Sequence, residues 1–135
     1  MHTEELLNAV ETLVLAKNPD GFTALQSEVY ILPVLGKWIC RPYMTKNKIQ
    51  TMANAAEVKR IIAELDGEHR LCGVVQVSSG WSADDDGKKQ EVLLFNGSGP
   101  YGKRVRIYKV VKRGKLKKVA GLMGAFEKMQ RRDEV

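Results

Sequence analysis

The chain has 135 residues, 44% hydrophobic and 28% charged, with a net charge of +6; this is the balance of one globular domain long enough to bury a core. No apolar run approaches the roughly 18 residues of a membrane span, and the acidic start Met-His-Thr-Glu-Glu lacks a signal-peptide pattern, so a cytoplasmic compartment is expected. The two cysteines, Cys40 and Cys72, are too far apart for a zinc cluster or a redox pair and read as small buried thiols; no metal or cofactor is expected.

Thr3 is expected to cap a helix whose first turn carries Glu4 and Glu5. Leu6, Leu7, Val10, Leu13 and Val14 share its apolar stripe, and Asn18, Pro19, Asp20 and Gly21 stop it. Thr23 to Gln26 fits a capping box with Phe22 as its staple, and Leu25, Val29 and Leu32 predict a second helix over 23–32, ended by Pro33. Residues 36–44, with Trp38, Ile39 and Tyr43, read equally as a short strand or as a loop fixed by Pro42. Thr45 opens a third helix with Ile49, Met52 and Ala53 inside. A second capping box, Asn54-Ala55-Ala56-Glu57, restarts it, with Val58, Ile61, Ile62 and Leu65 inward and Asp66-Gly67 as the stop.

After Gly67 the period changes from helix to strand. Residues 71–78 and 91–95 read as strands joined by a polar hairpin loop over 79–89, and a third strand runs over 103–112. An amphipathic helix is predicted over 115–132, with Leu116, Val119, Met123 and Phe126 inward. The expected fold class is therefore α+β, a single domain over 1–135. N-terminal helices pack on a small antiparallel sheet of about three strands, followed by a basic C-terminal strand and helix over 97–135.

The charge is concentrated at this end. Residues 103–132 hold twelve basic residues and one acid, Glu127, a sum of +11, while the remainder has 10 basic and 15 acidic residues, or −5. A dense field of one sign selects a polyanionic partner. In the strand, Arg104, Arg106, Tyr108 and Lys112 share one face; Val105, Ile107 and Val111 share the other, with Lys109 as the exception. Arg104, Arg106, Lys109, Lys112, Arg113, Lys117 and Lys118 are the candidate phosphate contacts, with Tyr101 and Tyr108 as stacking groups. The competing reading is a solvated basic surface that serves solubility.

Other motifs fall short. Gly97 to Lys103 matches both G-x-x-x-x-G-K and G-x-G-x-x-G, but Arg104 stands where the first needs Ser or Thr, and a strand follows where it needs a helix. It reads as a hairpin connection, with phosphate contact by its amides and Lys103 left open. Asp84, Asp85, Asp86 and Gly87 begin like a calcium loop, but its twelfth position is Phe95 where Glu is required. His2 and His69 have no Ser or Cys partner at a recognisable spacing, and no catalytic residue is nominated.

The order of elements from 22 to 95 resembles a winged helix-turn-helix: a helix, a short helix, a capped helix and a hairpin wing. Thr23-Ala24, Gln26 and Glu28-Val29 look like the first helix of the LexA-type repressor DNA-binding domain, and Asn54-Ala55-Ala56-Glu57 looks like the start of its recognition helix. The resemblance implies that Ala55, Lys59 and Arg60 lie on a helix that enters the major groove. The turn after Ile49 is shorter than the family's, and the tip of the wing is acidic at Asp84 to Asp86.

The expected function is that of a small cytoplasmic nucleic-acid-binding protein of regulatory type, not an enzyme. The alternatives are an accessory or inhibitor protein that binds an acidic protein partner, and a homo-oligomer, as small as a homodimer, with an exposed Trp38 or Trp81 at its interface. No membrane partner is expected.

Overall fold

The computed structural model describes residues 1–18, 27–83, 86–111 and 115–118. In chain order the elements are α1 (Thr3–Lys17), β1 (Ser27–Pro33), β2 (Ile39–Pro42), α2 (Lys48–Gly67), β3 (Leu71–Ala83), β4 (Lys89–Gly99), β5 (Gly102–Val111) and β6 (Lys115–Lys118). The strands form one sheet in the order β2-β1-β3-β4-β5-β6, antiparallel throughout. The fold is α+β, as expected, but among the described residues the sheet has six strands where about three were predicted. Among the described residues its edges are β2 and β6, four residues each.

The helices lie on opposite faces of the sheet. α1 packs across β3, β4 and β5, and α2 against β1, β2 and β3. Leu6, Leu7, Val10 and Val14 of α1 meet Tyr30, Leu32, Val75, Val77, Leu93, Phe95 and Tyr108. By the two-residue period of a strand, the intervening residues face the other way. There Val29 and Ile31 pack with Val58, Ile61 and Leu65 of α2, and Val92, Val105 and Ile107 form a third cluster with Leu94.

This layering explains why the helix expected over 23–32 is not one: from Ser27 onward it is β1, while residues 22–26 lie outside the described residues. Val29, Tyr30, Ile31 and Leu32 are all buried. A strand covered on both faces reads as a continuous apolar run, without the alternation that marks a half-exposed strand.

α2 also corrects an expectation. The two helices predicted around Ile49 and Ala55 are one uninterrupted helix, with no turn between them. Its cap is Asn47, whose Oδ1 accepts from the Gln50 backbone N–H at 3.0 Å. Asn54 is no cap: it is buried, and its side chain donates to the Tyr43 carbonyl and accepts from Gln50. A helix-turn-helix requires two helices joined by a turn, so residues 27–67 do not form that arrangement.

Two further expectations change. Thr3 begins α1 without capping it; the residue at the cap position, His2, makes no side-chain cap bond. The Thr3 hydroxyl donates instead to the Gly102 carbonyl, 2.8 Å away. The helix expected from Lys115 starts as strand β6, with Val110 opposite Leu116 and Lys109 opposite Lys117. Lys and Leu alternate over 115–117, a strand period embedded in the start of the predicted helix. The rest of that predicted helix, from Val119, lies outside the described residues.

Candidate nucleic-acid interface

The nominated residues divide into three groups. Arg106 and Tyr108 lie on the β5 face that α1 covers, and both are buried. Arg106 Nη2 pairs with Glu4, and Nη1 donates to Glu11 Oε2 at 3.0 Å. The Tyr108 hydroxyl donates to the same Glu11 oxygen at 2.7 Å. Burial works against the Arg106 charge, but the bonds to Glu4 and Glu11 with the nearby Tyr108 together outweigh that and hold its pKa above the ordinary value. Burial and the bond to Glu11 push the Tyr108 phenol up to about 12. Arg104, further along the same face, is exposed and 4.0 Å from Glu4. Two acids of α1 thus occupy much of the Arg/Tyr face on which phosphate contact was expected. The sequence carried a sign of this: Glu4 and Glu11 are seven residues apart, two turns, and so share a helix side.

The second group sits at the β4–β5 turn. Gly99 pairs with Gly102, leaving Pro100 and Tyr101 as a two-residue hairpin loop, with Gly102 at φ 111°. Tyr101 is exposed, its ring centroid 4.4 Å from that of His2, and Lys103 is exposed beside it. The glycines that mimic a phosphate loop have a packing reason. A Cβ on Gly97 would lie 2.9 Å from Leu7 Cδ2, and one on Gly99 3.0 Å from Leu6 Cδ1. They let α1 approach the sheet.

The third group lies at the opposite end of β5. Lys109 is half-buried and stands opposite Val92 on β4 and Lys117 on β6. Lys118 stands opposite Tyr108, and Lys115 opposite Val111. Lys112 and Arg113, between the two strands, lie outside the described residues. Six residues separate Lys103 from Lys109, roughly 20 Å along the strand, so Tyr101 and Lys103 do not join this cluster. Neither do the helix candidates: Lys59 and Arg60 are exposed on α2, Ala55 is half-buried, and Arg60 is engaged by Glu57 at 3.0 Å and Glu64 at 3.2 Å.

Next to the basic β5–β6 hairpin, the β3–β4 hairpin extends past its neighbours. β1 reaches only Ser78 of β3, and β5 only Val92 of β4. Among the described residues, β3 and β4 beyond those points pair with each other alone, out to Ala83 and Lys89. Trp81 stands on this ribbon, 68% exposed, whereas Trp38 is packed against the core.

Elsewhere, Lys17, Glu28, Tyr30 and Cys40 form a polar cluster at the C-terminal end of α1. Tyr30 donates to Glu28 at 2.6 Å, and Lys17 lies 3.3 Å from the Cys40 sulfur. Burial raises the Cys40 thiol pKa, favouring the protonated form, which is the poorer nucleophile. Both cysteines are free and half-buried. Among the described residues no three His, Cys, Asp or Glu side chains could hold a metal ion, and no helix is long and apolar enough to cross a membrane.

The fold and site define a three-layer α+β domain with a lysine-rich hairpin at one sheet edge. No protein-family model, curated protein or solved structure matches the chain.

Proposed function

We propose that this chain is a non-enzymatic nucleic-acid-binding protein whose phosphate contacts are made by the β5–β6 hairpin. The observation that carries this reading is the register that sets Lys109 directly opposite Lys117. Like charges across a strand pair destabilise it, and a polyanion lying along the hairpin relieves that repulsion. Residues 109–118 hold six basic residues and no acid, so the neighbours of the pair add to the field rather than cancel it. The mechanism is charge neutralisation with release of counterions, so affinity falls steeply as salt rises. Arg106 and Tyr108 take a structural role in this reading, and the contact set becomes Lys109, Lys112, Arg113, Lys115, Lys117 and Lys118.

Filter binding of random-sequence DNA and RNA at low and moderate salt tests the proposal. Retention at low salt that declines with salt, and drops at least tenfold on Lys109→Glu, is expected. Absence of retention at low salt overturns it, and a nuclease-insensitive complex with an acidic protein would establish the rival reading.

A further inference from the structure

The projecting β3–β4 ribbon places three side chains of complementary chemistry on one face. Trp81 pairs with Glu91, and Ala83 with Lys89. By the two-residue period, Trp81, Ala83, Lys89 and Glu91 all point to the same side. Opposite residues have Cβ atoms roughly 5 Å apart, and diagonal ones roughly 7–8 Å, so Glu91 is the cross-strand neighbour of Trp81 and Lys89 its diagonal neighbour. Trp81 and Lys89 are exposed and Glu91 half-buried. An indole 68% exposed gains little from the fold, since the free energy of an aromatic side chain comes from covering it.

The geometry points to this face as a site for an unpaired base of a single-stranded nucleic acid. The Trp81 indole is the stacking platform, and stacking needs a base freed from its pair. The Glu91 carboxylate, an acceptor only, takes a hydrogen bond from an exocyclic amine on the edge of the stacked base. Lys89 pairs with the adjoining phosphate. An acid beside the platform opposes phosphate but suits an amine, so the site favours cytosine and adenine over thymine or uracil. The electrostatic complement lies at the same end of the sheet, where the pairs Ala83–Lys89 and Val111–Lys115 stand, although Lys109, opposite Val92, points to the other side of the sheet from Glu91. The backbone of a strand whose base rests on Trp81 passes around this end of the sheet to reach the lysine hairpin. This inference rests on the nucleic-acid reading above and narrows it to single strands.

Fluorescence polarisation with short oligodeoxycytidine, oligocytidine RNA, oligothymidine and an abasic deoxyribose-phosphate strand separates the two claims. The native protein should bind both cytidine strands roughly tenfold tighter than the abasic strand, with thymidine in between. Trp81→Ala should reduce the three base-bearing strands to the abasic level, and Trp81→Phe should restore most of the difference. Glu91→Gln should erase the preference for cytidine over thymidine. Matching thermal unfolding of the variants shows that the fold is intact. Equal binding of all four strands, reduced by Lys109→Glu but not by Trp81→Ala, overturns this inference and leaves the broader reading standing. Binding to none at low salt overturns both, and Trp81-dependent capture by anionic lipid vesicles in its place assigns the indole to a membrane surface.

Discussion

Arg106 on β5 and Glu11 on α1, 95 positions apart in sequence, are joined by a 3.0 Å charge-assisted hydrogen bond. With Glu4 and Tyr108 they form a polar bolt between the first helix and the fifth strand. Removing one partner of a largely buried ion pair leaves an uncompensated charge and costs roughly 3 kcal/mol or more. Arg106→Ala should therefore lower the urea midpoint by about that amount, with α1 losing hydrogen-exchange protection first. A loss under about 1 kcal/mol would show that the bolt does not hold the helix.

Tyr108 gives the same cluster an alkaline signature. Its folded pKa, about 12, lies above the ordinary value of 10.0. Below pH 10 both folded and unfolded states keep the proton, and the contribution is fully present. Between about 10 and 12 the unfolded chain ionises first, so stability falls as pH rises, by at most about 3 kcal/mol. Tyr30, also raised by burial and by its bond to Glu28, adds to the slope. Tyr108→Phe should cost about 1 kcal/mol near neutrality and flatten the alkaline decline, as read from denaturant melts across this range.

Much of the sheet is legible in the sequence, because β3, β4 and β5 show strand period beside turn-forming Gly, Asp and Pro. The α1 stripe is legible for the same kind of reason. β1 is not: burial on both faces erases alternation, and Val29 and Leu32 happen to be three apart, a helical spacing. The cap-like Asn54 misleads because a buried amide bonded to Tyr43 and Gln50 looks the same in sequence as a cap. Arg106 and Tyr108 stand on the face predicted for them, but what faces them is a matter of tertiary packing that a strand pattern does not encode.

The close approach of α1 to the sheet is testable through glycine. A Cβ on Gly73 would lie 2.3 Å from Leu6 Cδ1, whereas one on Gly80 meets nothing within 4 Å. Gly73→Ala should destabilise by roughly 1–3 kcal/mol through overpacking. Gly80→Ala should be neutral or slightly stabilising. Parallel thermal melts compare them, and equal effects would refute the tight helix–sheet contact.

Lys117→Glu should move stability and binding in opposite directions. It sets a carboxylate opposite Lys109 and removes a like-charge pair, so the hairpin should gain about 0.2–1 kcal/mol. The same change takes two charges' worth of attraction from the interface, and nucleic-acid affinity should fall at least tenfold at low salt, with a shallower salt slope. Calorimetry and filter binding on one preparation measure both. A variant that loses stability and keeps its affinity would argue against the lysine pair as an interface.

The two short edge strands of the described sheet limit how copies of this chain could pair edge to edge. A sheet grows between molecules when an unpaired edge offers its amides and carbonyls to another. At one border Pro42 offers no amide and Arg41 brings charge; at the other, three of the four residues are lysines. Two β6 borders brought together would press cation rows against each other, so polymerisation through that border is least favoured at low ionic strength, the condition in which a polyanionic strand is held most tightly.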